Sequence, residues 1–284
     1  MQWKVGTDIS EVETSEFGRS LRAEGTVGET QVVALERVSI EVTNRCAKAC
    51  WFCYTHSLPG GETRWLAEEL LAFARDCARH GVRAVSFGGG EPLQYDGIFQ
   101  VLEGLRGALF RSLTTNGLGL DAAAIDRLTA AAPDKIHVSI HFPERMTEVQ
   151  RVIGQVTELE ARGIRSGINL LVARSKLDAA RTAAEAIDSA GIGADRVVYL
   201  PMRGHDTPSP AEIALVAAGR PFQSMTCLAA CGRSPRFASI GWDKTAAWCS
   251  YTPTRRVMPE TSFRGLVAAL DGLGLQFCGG NDAP

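Results

Sequence analysis

Ala84-Val85-Ser86-Phe87-Gly88-Gly89-Gly90-Glu91-Pro92 reads as a short strand that runs directly into a turn. β-Branched and aromatic residues favour extended backbone, and three consecutive glycines followed by proline end it. The same grammar recurs at Val38–Val42, Ser112–Thr115, Ile136–Ile140, Gly167–Val172 and Val197–Leu200, which makes six predicted strands. Between the first two, Leu66, Leu70, Phe73 and Cys77 fall at i, i+4, i+7 and i+11, the spacing of one helix face. Gly81-Val82, Gly163-Ile164 and Gly191-Ile192 supply the left-handed stop and the apolar return that close a helix. Strand, helix and strand repeating in this way give an α/β fold with parallel strands and right-handed crossovers. Periodicity alone leaves open whether the sheet is doubly wound or curled into a barrel.

The wider composition sets the frame. A chain of 284 residues with 45% hydrophobic and 22% charged residues and a net charge of -2 is an ordinary globular protein, with neither the bias of disorder nor that of a disulfide miniprotein. The charge balance argues against a nucleic-acid partner, and no apolar run reaches the roughly 18 to 20 residues of a membrane span. The start lacks the pattern of a secretory signal, so a cytoplasmic location is expected. Eight cysteines in a reducing compartment then raise metal or cluster ligation before disulfides. The expected organisation is an N-terminal extension at 1–35, a core at 36–205 and a proline-marked C-terminal region at 206–284. Arg203 to Arg264 carries seven Arg and one Lys against two Asp and two Glu, or 8 - 4 = +4, and is expected to be a solvated basic face, with anion binding by part of it as the alternative.

Directly after the first strand, Cys46, Cys50 and Cys53 form C-x3-C-x2-C. Three thiolates on one loop suit three corners of an iron-sulfur cube with the fourth iron open. The competing reading is a closed zinc site completed by His56, or a non-catalytic metal-binding protein. Glycines at 88–90 let backbone approach a ligand, and Glu91 supplies an acceptor for an ammonium group. Strand three ends in Thr115-Asn116-Gly117 and strand four in Val138-Ser139-Ile140-His141, so polar residues gather where α/β folds bind ligands.

With these motifs in this order, the chain resembles the radical S-adenosylmethionine (radical SAM) enzymes over about residues 36 to 205. The resemblance implies a partial (β/α)6 TIM-like barrel with a small cysteine-containing C-terminal extension. It implies a 4Fe-4S cluster on Cys46, Cys50 and Cys53, with S-adenosylmethionine chelating the open iron and cleaved reductively to a 5′-deoxyadenosyl radical. The Phe52 backbone would face the adenine, and Gly89, Gly90 and Glu91 the methionine end, with Gly88 as the alternative to Gly90. Thr115, Asn116 and Ser139 would line the ribose or carboxylate. Asn169, and then Met202 and Arg203, are further pocket candidates. His141 stands where many relatives carry aspartate, and is the candidate substrate acid or base near neutral pH.

Cys227, Cys231, Cys249 and Cys278 equal the complement of a second, auxiliary cluster, or of a four-thiolate zinc site. The stretch from Cys231 to Cys249 resembles the hairpin of a twitch domain, with Asp243-Lys244 in place of the usual Asp-Gly turn. The family resemblance implies hydrogen abstraction from an organic substrate and a reducing partner such as flavodoxin or ferredoxin. A peptide substrate is preferred, and oxidation or rearrangement of a small natural-product intermediate is the alternative. The stretch of about 35 residues ahead of the barrel is short for the leader-binding domain of many peptide-modifying members.

Overall fold

A computed structural model describes residues 34–204, 206–220, 222–224 and 232–276. Most of the expected N-terminal extension, together with Cys227, Cys231 and Cys278, lies outside them. Six parallel strands follow one another in space as they do in sequence: β1 (Arg37–Glu41), β2 (Ala84–Gly88), β3 (Phe110–Thr115), β4 (Lys135–Ile140), β5 (Ser166–Val172) and β6 (Val197–Pro201). The helices between them are α1 (Ala67–Arg79), α2 (Ile98–Gly104), α3 (Ala122–Ala131), α4 (Met146–Ala161) and α5 (Leu177–Ser189). The fold is α/β, a partial (β/α)6 barrel. After α6 (Pro210–Val216) the two-residue β7 (Gln223–Ser224) pairs with β6. At the opposite edge β8 (Phe237–Ile240) pairs parallel to β1, and β9 (Thr245–Ala247) and β10 (Arg256–Val257) extend the sheet antiparallel, followed by α7 (Phe263–Leu270).

Alternation sorts each strand into two faces. Val38, Ile40, Val85, Phe87, Leu113, Ile136 and Val138 are fully or almost fully buried in the aliphatic core that includes the inner faces of the helices. The opposite face carries Ser39, Ser86 and Ser112 in register on adjacent strands, with Ser239 of β8 beside Ser39. Ser112 Oγ donates to Ser86 Oγ at 2.8 Å. Farther along, His137 stands opposite Gly167, and Ser139 opposite Asn169. A Cβ on Gly167 would lie 2.7 Å from the His137 ring, so that glycine makes room for an imidazole. Burial, with Lys135 adding to it, lowers the His137 pKa to about 3, so the ring is neutral.

The helix stops follow the glycines. Gly81, Gly163 and Gly191 have φ of +96°, +76° and +77°. Val82, Ile164 and Ile192 then donate back to the carbonyls of Cys77, Leu159 and Ile187, the 6→1 bond of a Schellman motif. Cys77 is fully buried, which pushes its thiol up to about 12 and makes it a packing residue.

Two expectations need correction. Leu66 is not on the buried face of α1 but precedes its first residue and is 70% exposed, because the chain has not yet entered helical geometry there. The basic C-terminal stretch is not wholly a solvated face: Arg255 donates to the buried Glu41 at 3.0 Å and to the Ser250 carbonyl at 2.8 Å. The β8–β9 turn forms with a non-glycine residue in its left-handed position. Lys244 takes the left-handed φ of 65° and donates to both Glu69 carboxylate oxygens at 2.6 Å. Among the described residues no helix is long and apolar enough to cross a membrane.

Candidate active site

The cysteine loop leaves the carboxyl end of β1 and returns on itself. Cys46 N–H donates to the Leu58 carbonyl at 2.9 Å and Leu58 N–H to the Asn44 carbonyl at 3.1 Å, so residues 44–58 form a closed loop. Inside it, Cys53 N–H donates to the Cys50 carbonyl and His56 N–H to the Cys53 carbonyl, each at 3.0 Å. Ala49 and His56 hold positive φ, 46° and 49°, which tightens the turn without glycine. Cys46 is buried, Cys50 and Cys53 are half-buried, and all three are free thiols. Burial pushes the Cys50 thiol up to about 11, with Lys48 opposing.

β2 brings the glycine turn against this loop. A Cβ on Gly89 (φ +71°) would lie 2.2 Å from Glu41 Cβ, and one on Gly90 (φ +53°) would lie 2.5 Å from the Arg45 carbonyl oxygen. Gly88 has open space and needs no special φ, so the positions that demand glycine are 89 and 90. Glu91 N–H donates to the Arg45 carbonyl at 2.8 Å, which ties the two loops together.

The Glu91 side chain ties in the third. Its Oε1 accepts from Thr115 Oγ1 at 2.7 Å and from Leu93 N–H at 3.1 Å, and its Oε2 accepts from Asn116 N–H at 2.8 Å. A carboxylate has about four lone-pair positions, and three are used, so at most one remains for an external ammonium group. Burial raises the Glu91 pKa against the pull of these donors. Asn116, itself buried, donates from Nδ2 to Cys46 Sγ at 3.5 Å and accepts at Oδ1 from Leu118 N–H at 2.8 Å. Gly117 at φ +75° lets Gln155 reach its carbonyl at 2.7 Å.

The structure thus brings Cys46, Gly89, Gly90, Glu91, Thr115 and Asn116 into one bonded unit at the ends of β1–β3. Phe52 is half-buried with its ring 5.5 Å from that of Phe142 and 6.2 Å from His141. Ser139 and Asn169 are buried and share a register row on the face away from the helices. Met202 is buried after β6, and the Arg203 guanidinium lies 4.9 Å from the Tyr251 ring centre. Cys249 accepts from Tyr251 N–H at 3.5 Å, and Tyr251 packs on Tyr54, the residue after Cys53, at 4.6 Å.

His141, the candidate acid or base, is engaged by Lys48. A lysine ammonium can only donate, so the 3.1 Å contact from Lys48 Nζ makes His141 Nδ1 the acceptor and the ring neutral. Burial, reinforced by Lys48, lowers its pKa to about 4, far below neutrality. Lys48 also pairs with Glu148 at 2.7 Å, with both side chains less than a tenth exposed. Sequence reasoning missed this pair and the Glu41–Arg255 pair. The available signal was a glutamate in the first turn of α4 on the same face as Val149, Val152 and Val156, where an apolar residue would be expected.

The donor chemistry fits a cubane held at three corners: three free thiols on one loop, beside a glycine cradle that any side chain would fill. Among the described residues no three His, Cys, Asp or Glu side chains converge as ligands of a single ion, and His56 is exposed.

Comparison with known proteins agrees. A probable GTP 3′,8-cyclase of Methanocella arvoryzae is 34% identical over 114 residues, 39% of this chain and 36% of the relative. A PqqA peptide cyclase of Ruegeria pomeroyi is 30% identical over 165 residues, 54% of this chain and 44% of the relative. The chain therefore matches less than half the length of either relative. SuiB of Streptococcus suis, solved with its precursor peptide SuiA, superimposes with a TM-score of 0.63 at 14% identity, covering 76% of this chain and 60% of that one, a likeness of fold. The radical SAM superfamily profile matches residues 40–201, and the superfamily's cofactors are a 4Fe-4S cluster and S-adenosylmethionine. With that match spanning more than half of its length, the chain belongs to the radical SAM superfamily of enzymes.

Proposed function

We propose that the protein cleaves S-adenosylmethionine reductively and directs the resulting radical at a C–H bond of a peptide. The observation that carries this reading is the bonded unit of Cys46, Glu91, Thr115 and Asn116 beside the Gly89-Gly90 cradle. When bound, the cluster and its cosubstrate supply one electron's worth of bond cleavage and a 5′-deoxyadenosyl radical. The chain's part is to hold and orient. Cys46, Cys50 and Cys53 anchor the cluster, and Asn116 donates toward the Cys46 sulfur. Gly89 and Gly90 bring backbone close to the methionine end, while Glu91 fixes the Thr115-Asn116 loop and keeps one acceptor position open. Phe52, Ser139 and Asn169 complete the wall toward the adenine and ribose.

The peptide preference rests on two supports. The face turned away from the helices carries serines, Asn169 and a neutral His137 on its inner rows, which suits amide and hydroxyl groups better than a triphosphate. Relatives include a PqqA peptide cyclase, and a solved neighbour of the same fold carries a bound precursor peptide. Oxidation or rearrangement of a small natural-product intermediate is the second reading. A core at 36–205 followed by a twitch-like region at 206–284 belongs to the same proposal. In it, Cys249 with Cys227, Cys231 and Cys278 holds an auxiliary cluster, and a cytoplasmic flavodoxin or ferredoxin supplies the electron.

Anaerobic reconstitution followed by S-adenosylmethionine and dithionite tests the core claim: 5′-deoxyadenosine must form. Iron analysis should give about eight atoms per chain with the auxiliary cluster and about four without it. Deuterated peptides then test the substrate. Label moving into 5′-deoxyadenosine supports the peptide reading, and its absence across peptides with transfer from a small alcohol favours the second.

A further inference from the structure

Lys48 lies inside the cysteine loop, two residues from both Cys46 and Cys50, and its side chain is only 8% exposed. A long cation is seldom buried unless something holds it. Here the holder is remote in sequence: Glu148 Oε1, in the first turn of α4, at 2.7 Å, with His141 Nδ1 at the end of β4 accepting at 3.1 Å. The two charges are treated unequally. Glu148 Oε1 also accepts from the His141 backbone N–H at 2.7 Å and sits at a helix N-terminus, so backbone dipoles already offset its charge. The ammonium faces one carboxylate and a neutral imidazole. The pair is close to neutral overall, so removing either member leaves one uncompensated charge in a poorly screened place, of opposite sign in the two cases.

Building on the cluster assignment above, we propose that Lys48 is the positioning residue of the cysteine loop: anchored by Glu148, it clamps the loop to the β4–α4 corner and sets a buried positive charge beside the cluster sulfurs, favouring one-electron reduction. The step adds one electron from an external low-potential reductant to the oxidised cluster, and no proton moves. Net charge and nearby dipoles are among the protein's levers on such potentials. Asn116, by contrast, acts on Cys46 through a single hydrogen bond and carries no charge.

The test uses the full chain, reconstituted anaerobically, with K48M and E148Q beside the wild type. Each is titrated with dithionite and followed by electron paramagnetic resonance, with circular dichroism confirming the fold. K48M should lower the equilibrium constant for reduction about tenfold, about 59 mV for one electron. E148Q removes the countercharge and should shift it the opposite way, and both should lose iron to a chelator faster than wild type. A purely structural clamp would not produce shifts of opposite sign. Shifts in the same direction, or both within twofold of wild type, overturn the proposal. Should K48M not take up a cluster, E148Q decides alone: a rise supports the proposal, and no change or a fall refutes it. Wild type that binds no cluster would instead bring down the reading under Proposed function as well.

Discussion

The loops after β1, β2 and β3 and the hairpin β8–β9 both border β1, yet different physics holds them. The loops are locked by contact together with one buried ion pair, Lys48–Glu148. Gly89 and Gly90 press on Glu41 and on the Arg45 backbone, and Glu91 spends three acceptor positions on its neighbours. The hairpin extends the sheet by backbone pairing and packs Ala238, Ile240 and Ala246 into the core, and it adds two ion pairs to the barrel, Lys244–Glu69 and, beyond β9, Arg255–Glu41. Steric contact is indifferent to salt and pH, whereas ion pairs are not. The glycine cradle is therefore the least adjustable part of the site, and the two ion pairs of the C-terminal attachment are parts that solution conditions reach.

The sharpest way to break the contrast is to put a side chain into the cradle. Gly89→Ala combines a left-handed alanine with overlap against Glu41, together about 4 kcal/mol. Either the melting temperature falls steeply or the loop moves and iron uptake is lost; an alanine variant with wild-type melting and full cluster would refute the steric lock. Next, Glu91→Gln replaces an all-acceptor group by one that presents an N–H to an existing donor, at a cost of about 3 kcal/mol. Loss of S-adenosylmethionine binding, measured by calorimetry on reconstituted protein, is the expected readout.

The hairpin side is tested by pH. Burial raises Glu41 to about 7 despite Arg255. An acid raised from its usual value binds more protons folded than unfolded between about 4.5 and 7, so its contribution to stability is greatest below that window and falls as pH rises through it. The shift corresponds to about 3 kcal/mol at most. The stability difference between wild type and E41Q, followed by denaturant titration from pH 5 to 8, should decline up to about pH 7 and then level; a flat difference would remove Glu41 from the account. The smallest effect is expected of Lys244→Ala. Its partly exposed pair contributes about 0.5 kcal/mol, and a melting shift of about 1 to 2 °C should shrink in 1 M salt.

The fold was legible because local signals agreed with the global one. Strands such as Val85–Phe87 and Ile136–Ile140 place their aliphatic residues on the helix side, and the three terminating glycines occupy the left-handed positions their place in sequence demanded. The cysteine, glycine and Thr-Asn-Gly motifs were legible as chemistry because each sits at a strand end. What the sequence concealed was pairing at a distance. Lys48 and Glu148 are 100 residues apart, and Glu41 and Arg255 are 214 apart. No local pattern predicts which buried acid a given lysine or arginine will meet once the crossovers have folded. His141 shows the intermediate case: visible as an unusual residue, but with its protonation state fixed by a lysine 93 positions earlier.

The separation between Glu41 and Arg255 also bears on how the chain is born. At a ribosomal pace of about 5 to 20 residues per second, the first strand waits about 11 to 43 s for its guanidinium partner to be synthesised. Until Phe237–Ile240 is made one edge of β1 lacks β8, and until Arg255 follows the Glu41 carboxyl group must stay hydrated or protonated. A nascent chain cut short before Phe237 would thus present an unfinished sheet margin ending in an uncompensated acid.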